Sequence, residues 1–166
     1  MILGLSTPAF VALHVAISLI GIVTGLISLP RLAAGYRPGP LHGIFLATTL
    51  ATTLTGFLFP ISGVTPALVT GVVSTAALVI AIGSFRRFGR GRHTGLTYAV
   101  SATFALYLNL FVLVVQSFLK VPALHALAPT GTEAPFLIAQ GLVLAASIAL
   151  GFGAFLGTRR EVLSAA

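Results

Sequence analysis

The chain has 166 residues, of which 57% are hydrophobic and only 7% charged. A soluble domain carries roughly 25% charged residues, so a water-covered surface is excluded and lipid must cover most of the outside. The net charge of +7 sets nine basic residues against two acids, Glu133 and Glu161. Its arginines stand in short gaps between long apolar runs, which argues against a nucleic-acid face and matches how membrane proteins mark their cytoplasmic side.

Five apolar stretches are long enough to cross about 30 Å of hydrocarbon, which takes roughly 20 helical residues. They cover about 8–29, 41–59, 66–85, 95–119 and 135–157, and none contains Asp, Glu, Lys or Arg. The first opens at Thr7-Pro8, a cap residue ahead of a proline suited to the first helical position. His14, Ser18, Gly21, Gly25 and Ser28 share one of its faces, with Gly21-x-x-x-Gly25 as a close-packing motif. Pro30 is expected to stop it. A cleaved signal peptide is the weaker reading of this end, because no basic segment precedes the apolar run and the run is long.

The second stretch opens at Gly39-Pro40, carries Thr48, Thr49, Thr52, Thr53, Thr55 and Gly56, and is expected to end at Pro60. The third opens at Thr65-Pro66 and offers Gly71, Ser74 and Thr75 for packing. Such hydroxyls commonly bond the backbone of their own helix. On the fourth, Tyr98, Ala102, Ala105, Asn109, Gln116 and Lys120 fall in one narrow stripe at helical periodicity. An amide facing lipid has nothing to bond, so this stripe is expected to face protein. The segment 120–134 reads as an outer loop holding a short interfacial helix begun by Pro122 and ended by Pro129. Thr132-Glu133 caps the fifth stretch, which aligns Gln140, Leu144, Ser147, Gly151 and Ala154 on one side.

Counting five spans puts all eight arginines on one side: Arg31 and Arg37, then Arg86, Arg87, Arg90 and Arg92, then Arg159 and Arg160. That side is read as cytoplasmic. The expected fold is therefore an all-α integral membrane protein, one transmembrane domain over 1–166. It is a bundle of five transmembrane helices with the N-terminus outside and the C-terminus cytoplasmic.

Depth and helix face group His14, Thr55, Asn109, Gln116, Gln140, Tyr98 and Lys120 as an intramembrane polar cluster, centred in the outer half. They are expected to bind a small or lipid-like ligand or to fix helix register. The loop carrying Arg86, Arg87, Arg90 and Arg92 is a candidate contact for anionic lipid. Glu133 is expected to pair with Lys120 across the outer loop. No catalytic residue is assigned, because Glu133 and Glu161 lie on opposite faces and the absence of cysteine removes thiolate chemistry. No metal site is assigned, since no close His spacing exists. Haem b between His42 and His93, or between His14 and His125, is geometrically allowed but not favoured.

TGFLFP (55–60), ALYLNLFVLVVQSFLKVPALHALAPT (105–130), then EAPF and Gln140, resemble a group of short bacterial inner-membrane proteins of uncharacterised activity. HVAISLIGIVTGL (14–26) fits the same group. The matching positions include His14, Asn109, Gln116, Lys120 and Gln140. His125 stands where the group carries Lys, and His42 is outside its pattern, which weakens haem readings built on either. The resemblance implies a multi-pass protein of the bacterial inner membrane and brings no activity. The functional expectation is a non-enzymatic membrane protein that binds a partner or lipid-like ligand in the outer half of its bundle. Alternatives are an accessory subunit of a respiratory or photosynthetic complex and a small haem b redox protein. The expected partners are membrane lipids, other membrane subunits or further copies of the chain, and no nucleic acid.

Overall fold

The computed structural model describes residues 1–60, 63, 65–90 and 92–164; the side chains of Pro66, Arg92 and residues 161–164 lie outside that description. It is all-helical: α1 Thr7–Ala33, α2 Pro40–Gly56, α3 Pro66–Arg86, α4 Arg92–Lys120, the short α5 Pro122–Leu127, and α6 Ala134–Ser164. Four of these, α1, α3, α4 and α6, are long and apolar enough to cross a membrane.

The helix starts follow local chemistry with one shift. Ser6, not Thr7, caps α1, its hydroxyl accepting from the Ala9 N–H at 3.4 Å. Thr65 caps α3 by accepting from Leu68 N–H at 3.2 Å, while Gly39 precedes α2 without a side-chain cap. The expectation that Pro30 stops α1 is wrong. The helix runs through it and ends where Gly35, at φ +88°, reverses the chain. Gly35 N–H bonds Leu32 O and Tyr36 N–H bonds Arg31 O, the paired bonds of a Schellman stop. In a last turn, proline removes one hydrogen bond without displacing the residues after it. The second helix ends at Gly56, four residues before Pro60. The fifth long helix runs past 157 to Ser164, carrying Arg159 and Arg160 on a helical extension. The segment 120–134 forms α5 where a short helix was expected, packed on the end of α4.

The bundle is a ring of α1, α2, α3, α4 and α6, with α4 also touching α1 and α2. The core lies along α4: Tyr98, Ala99, Ala102, Ala105 and Leu106 are buried with Leu29 and Leu32 of α1, Phe45 of α2, Leu78 of α3 and Ala154 of α6. Helices in lipid gain nothing from burying one more leucine, so close approach at small residues drives their association. Gly25 shows it: an added methyl would meet Leu106 Cδ1 at 2.8 Å and Phe45 Cδ2 at 2.9 Å. Gly21 does the same beside Thr48 and Thr49.

The two ends of the bundle differ in sequence. At one end Gly157 backs onto the carbonyls of Leu32 and Ala33, Gly95 faces Thr158, and Gly89 lies against the Arg37 guanidinium. Leu32, Ala33 and Arg37, Phe88, Gly89 and Gly95, and Gly157 and Thr158 therefore gather at that end. At the other end Phe59 packs edge-on to both Phe10 and His14 at 5.2 Å, and Phe118 on Phe136 at 5.4 Å.

Candidate functional site

The polar side chains inside the bundle form separate interhelical pairs rather than one cluster. His14 Nδ1 lies 2.8 Å from Thr55 Oγ1, joining α1 to α2. The Thr55 hydroxyl proton already goes to Ala51 O at 2.7 Å. With that proton so placed, Thr55 accepts and His14 Nδ1 donates. Asn109 Nδ2 donates to Thr49 Oγ1 at 3.1 Å, joining α4 to α2. Gln140 Nε2 donates to Phe111 O at 3.2 Å, joining α6 to α4, and its Oε1 is buried without a partner among the described residues.

Tyr98 does not belong with them. Its hydroxyl lies 2.6 Å from His42 Nδ1, and both residues are buried. Phe85 and Phe88 enclose the tyrosine ring, with centroids 5.5 and 5.9 Å away. Tyr98 and Asn109 share a helix face but are separated by about 16 Å of rise, so the tyrosine stands near the arginine-bearing end. His42, near the start of α2, is packed inside the bundle at 3% exposure. The signal was present: His42 and Tyr98 both stand one or two turns inside helices that start at the same end.

Gln116 and Lys120 are exposed. The expectation that the whole α4 stripe faces protein holds for Tyr98, Ala102 and Ala105, and Asn109 is half-buried. It fails further out because α2 rises only about 26 Å while α4 rises about 44 Å. The last turns of α4 outrun their neighbour.

Glu133 turns back onto its own loop instead of reaching Lys120. Its Oε1 accepts from the Thr130 N–H and hydroxyl, and its Oε2 accepts from the Thr132 N–H at 3.0 Å. Some loss of hydration raises the carboxyl, but these hydrogen bonds outweigh it and hold the group below its ordinary value.

Among the described residues no group of three or more His, Asp or Glu is placed to hold a metal. For haem, His42 is tied to Tyr98 while His93 is exposed, and His14 is tied to Thr55 while His125 is exposed on α5. The threonines of α2 mostly bond their own helix, as Thr48 does to Ile44 O and Thr53 to Thr49 O.

None of the paired polar groups lines the lateral groove of the bundle. That groove, of about 580 Å³, opens sideways and is walled by Ala76 and Ile80 of α3, Val100 and Phe104 of α4, and Phe155 of α6. The exposed arginines Arg86, Arg87 and Arg90 lie in and beside the α3–α4 connection below it, and Arg159 and Arg160 lie on α6. The side chain of Arg92 lies outside the described residues. No known family model, no characterised protein and no solved structure matches this chain.

Proposed function

We propose that the chain is a five-span bacterial inner-membrane protein, N-terminus outside and C-terminus cytoplasmic, that binds a lipid-like molecule from the bilayer and is not an enzyme. The observation that carries this reading is the disposal of polar groups. His14, His42, Tyr98, Asn109 and Gln140 are bonded helix to helix. The recess between α3, α4 and α6 is apolar and opens toward lipid.

Two geometrical facts support the topology. The 17-residue α2 meets Tyr98 at its start and His14 near its finish, so it runs from the arginine-bearing end to the level of His14. A 17-residue helix is also at the lower limit for a span. The arginine-bearing segments meet at one end, as positive-inside orientation requires.

The chain has no cysteine, so a single introduced thiol reports sidedness cleanly. Ala34→Cys should react with a membrane-impermeant maleimide only after the membrane is opened, whereas Pro60→Cys and His125→Cys should react in intact spheroplasts. Equal protection of Ala34→Cys and Pro60→Cys would remove α2 as a span. For binding, native mass spectrometry of protein extracted gently from membranes should show a retained lipid-mass adduct. Bare protein under every extraction condition would sink the binding reading.

A second reading is favoured by one feature. Gly25 packs on Leu106 in antiparallel helices, so His14 lies level with residues near Gln116. With Nδ1 given to Thr55, Nε2 of His14 and the exposed Gln116 and Lys120 form a polar edge for an outer-half ligand. Protection of His14 from diethylpyrocarbonate in native membranes but not in detergent favours this alternative.

A further inference from the structure

Resting on the lipid-binding reading above, we infer that the α3–α4–α6 groove is a site for one anionic phospholipid, its acyl chain in the groove and its phosphate among the arginines below. The groove volume, about 580 Å³, falls within the size range of small-molecule sites. Its walls are apolar, with Ala76 and Val100 leaving room between the bulkier Ile80, Phe104 and Phe155.

What selects the occupant is the charge at one mouth. Each of the three helices that wall the groove carries arginine beyond the groove at the same end. Ile80 precedes Arg86 by six residues, about 9 Å of helix rise. Phe155 precedes Arg159 by four residues, about 6 Å. Arg90 stands just before α4, whose Leu96 and Thr97 close the lower wall. Arg86, Arg87, Arg90, Arg159 and Arg160 are all exposed. The whole chain has two acids: Glu133 is at the opposite end, and Glu161, next to Arg160 in sequence, is a single carboxyl against five exposed arginines. Little carboxylate is available to neutralise these guanidiniums, and guanidinium binds phosphate oxygens in pairs. A neutral lipid would fill the groove and leave the arginines unanswered, and a soluble phosphate would answer the arginines and leave the groove bare. A phospholipid with a net negative headgroup satisfies both.

The absence of tryptophan makes a direct test available. Phe104→Trp places one indole in the groove, and Val23→Trp places one on the lipid face of α1 at a similar depth. Each full-length variant is reconstituted into phosphatidylcholine vesicles carrying chain-brominated phosphatidylglycerol or chain-brominated phosphatidylcholine. The groove indole should be quenched by the anionic lipid at roughly five-fold lower mole fraction than by the neutral one for each arginine engaged. The α1 indole should show no preference. Arg86→Gln/Arg87→Gln and Arg159→Gln/Arg160→Gln should each cut the groove preference, and Arg31→Gln should leave it intact. Soluble glycerol phosphate should not compete; competition would make the site one for free phosphate and overturn the proposal. Equal quenching by both lipids overturns the anionic site while leaving lipid binding standing. A preference seen equally at Val23→Trp reduces it to general surface charge and overturns it. A groove indole that neither lipid quenches removes lipid occupancy altogether, and with it the reading on which this one rests. Should Phe104→Trp fail to fold, Val100→Trp carries the same measurement.

Discussion

The two ends of this bundle are built on different terms. At the arginine-bearing end, α6 closes on α1 to backbone contact and packs tightly on α4 at Gly95. Gly157 of α6 lies on the carbonyls that finish α1, and the His42–Tyr98 pair is buried inside an aromatic cage. At the other end α2 has run out, His14 and Asn109 are half-buried, and Gln116 and Lys120 are bare. The same kind of interaction, a side-chain hydrogen bond between helices, is therefore expected to carry different weight at the two ends. Where no water reaches, an orphaned partner has nowhere to turn; where the bundle opens, it does.

The sharpest break comes from Gly157→Ala. The added methyl falls on Leu32 O and Ala33 O, so α6 must move off α1. The cost is at least about 3 kcal/mol, the upper part of the range for overpacking, despite alanine's better helix propensity. Gly43→Ala is the matched control, since nothing lies within 4 Å of its methyl. There the propensity gain of about 0.5–1 kcal/mol should appear as added stability. Thermal unfolding in detergent reads both, and a Gly157→Ala protein as stable as the parent would show that the closed end is not closed.

Tyr98→Phe comes next. It keeps the ring and its cage and removes the hydroxyl, leaving His42 Nδ1 without its buried partner. A loss of about 1–3 kcal/mol is expected. Thr55→Val makes the equivalent cut at the open end, where His14 is half-buried, and should cost about 0.6 kcal/mol, the average for such bonds between membrane helices. Equal losses for the two variants would erase the comparison. Gln116→Leu is smaller again. Its side chain is exposed and no bond is lost, so stability in detergent should change by less than about 0.5 kcal/mol.

How much of this could be read beforehand follows the same division. Apolar length and the absence of charge within it located every long helix to within a few residues at its start, because the bilayer imposes that pattern whatever the tertiary contacts are. Ends were harder. Pro30 looked like a stop, yet Gly35 closes α1, because a last-turn proline is tolerated and a left-handed glycine is not part of any helix. The α4 stripe was legible as a face but not as a length, since how far it is covered depends on where α2 ends. The His42–Tyr98 pair was missed because its members are 56 residues apart, and Tyr98 was grouped by helix face with the residues further along α4. The lateral groove left no periodic signal, as it is made of what three helices fail to fill.

The smallest expected effect is also confined to the open end, and it concerns pH. Glu133 is held ionised by Thr130 and Thr132 at the start of α6. Its folded-state affinity for a proton is thus lower than that of the unfolded chain, whose ordinary value is 4.5. A depressed carboxyl contributes stability that is fully present above the unfolded value and is lost as pH falls through the folded one. The stability difference between the parent and Glu133→Gln should therefore be constant near neutral pH and shrink as the solution is taken below 4.5. If the proposed topology holds, this loop is on the outside, and acidifying only the outside of sealed right-side-out vesicles should suffice. A difference that widens with acid would reverse the sign. One that persists unchanged would mean that Glu133 binds its proton equally in the folded and unfolded chain, so that its charge contributes nothing to the start of α6.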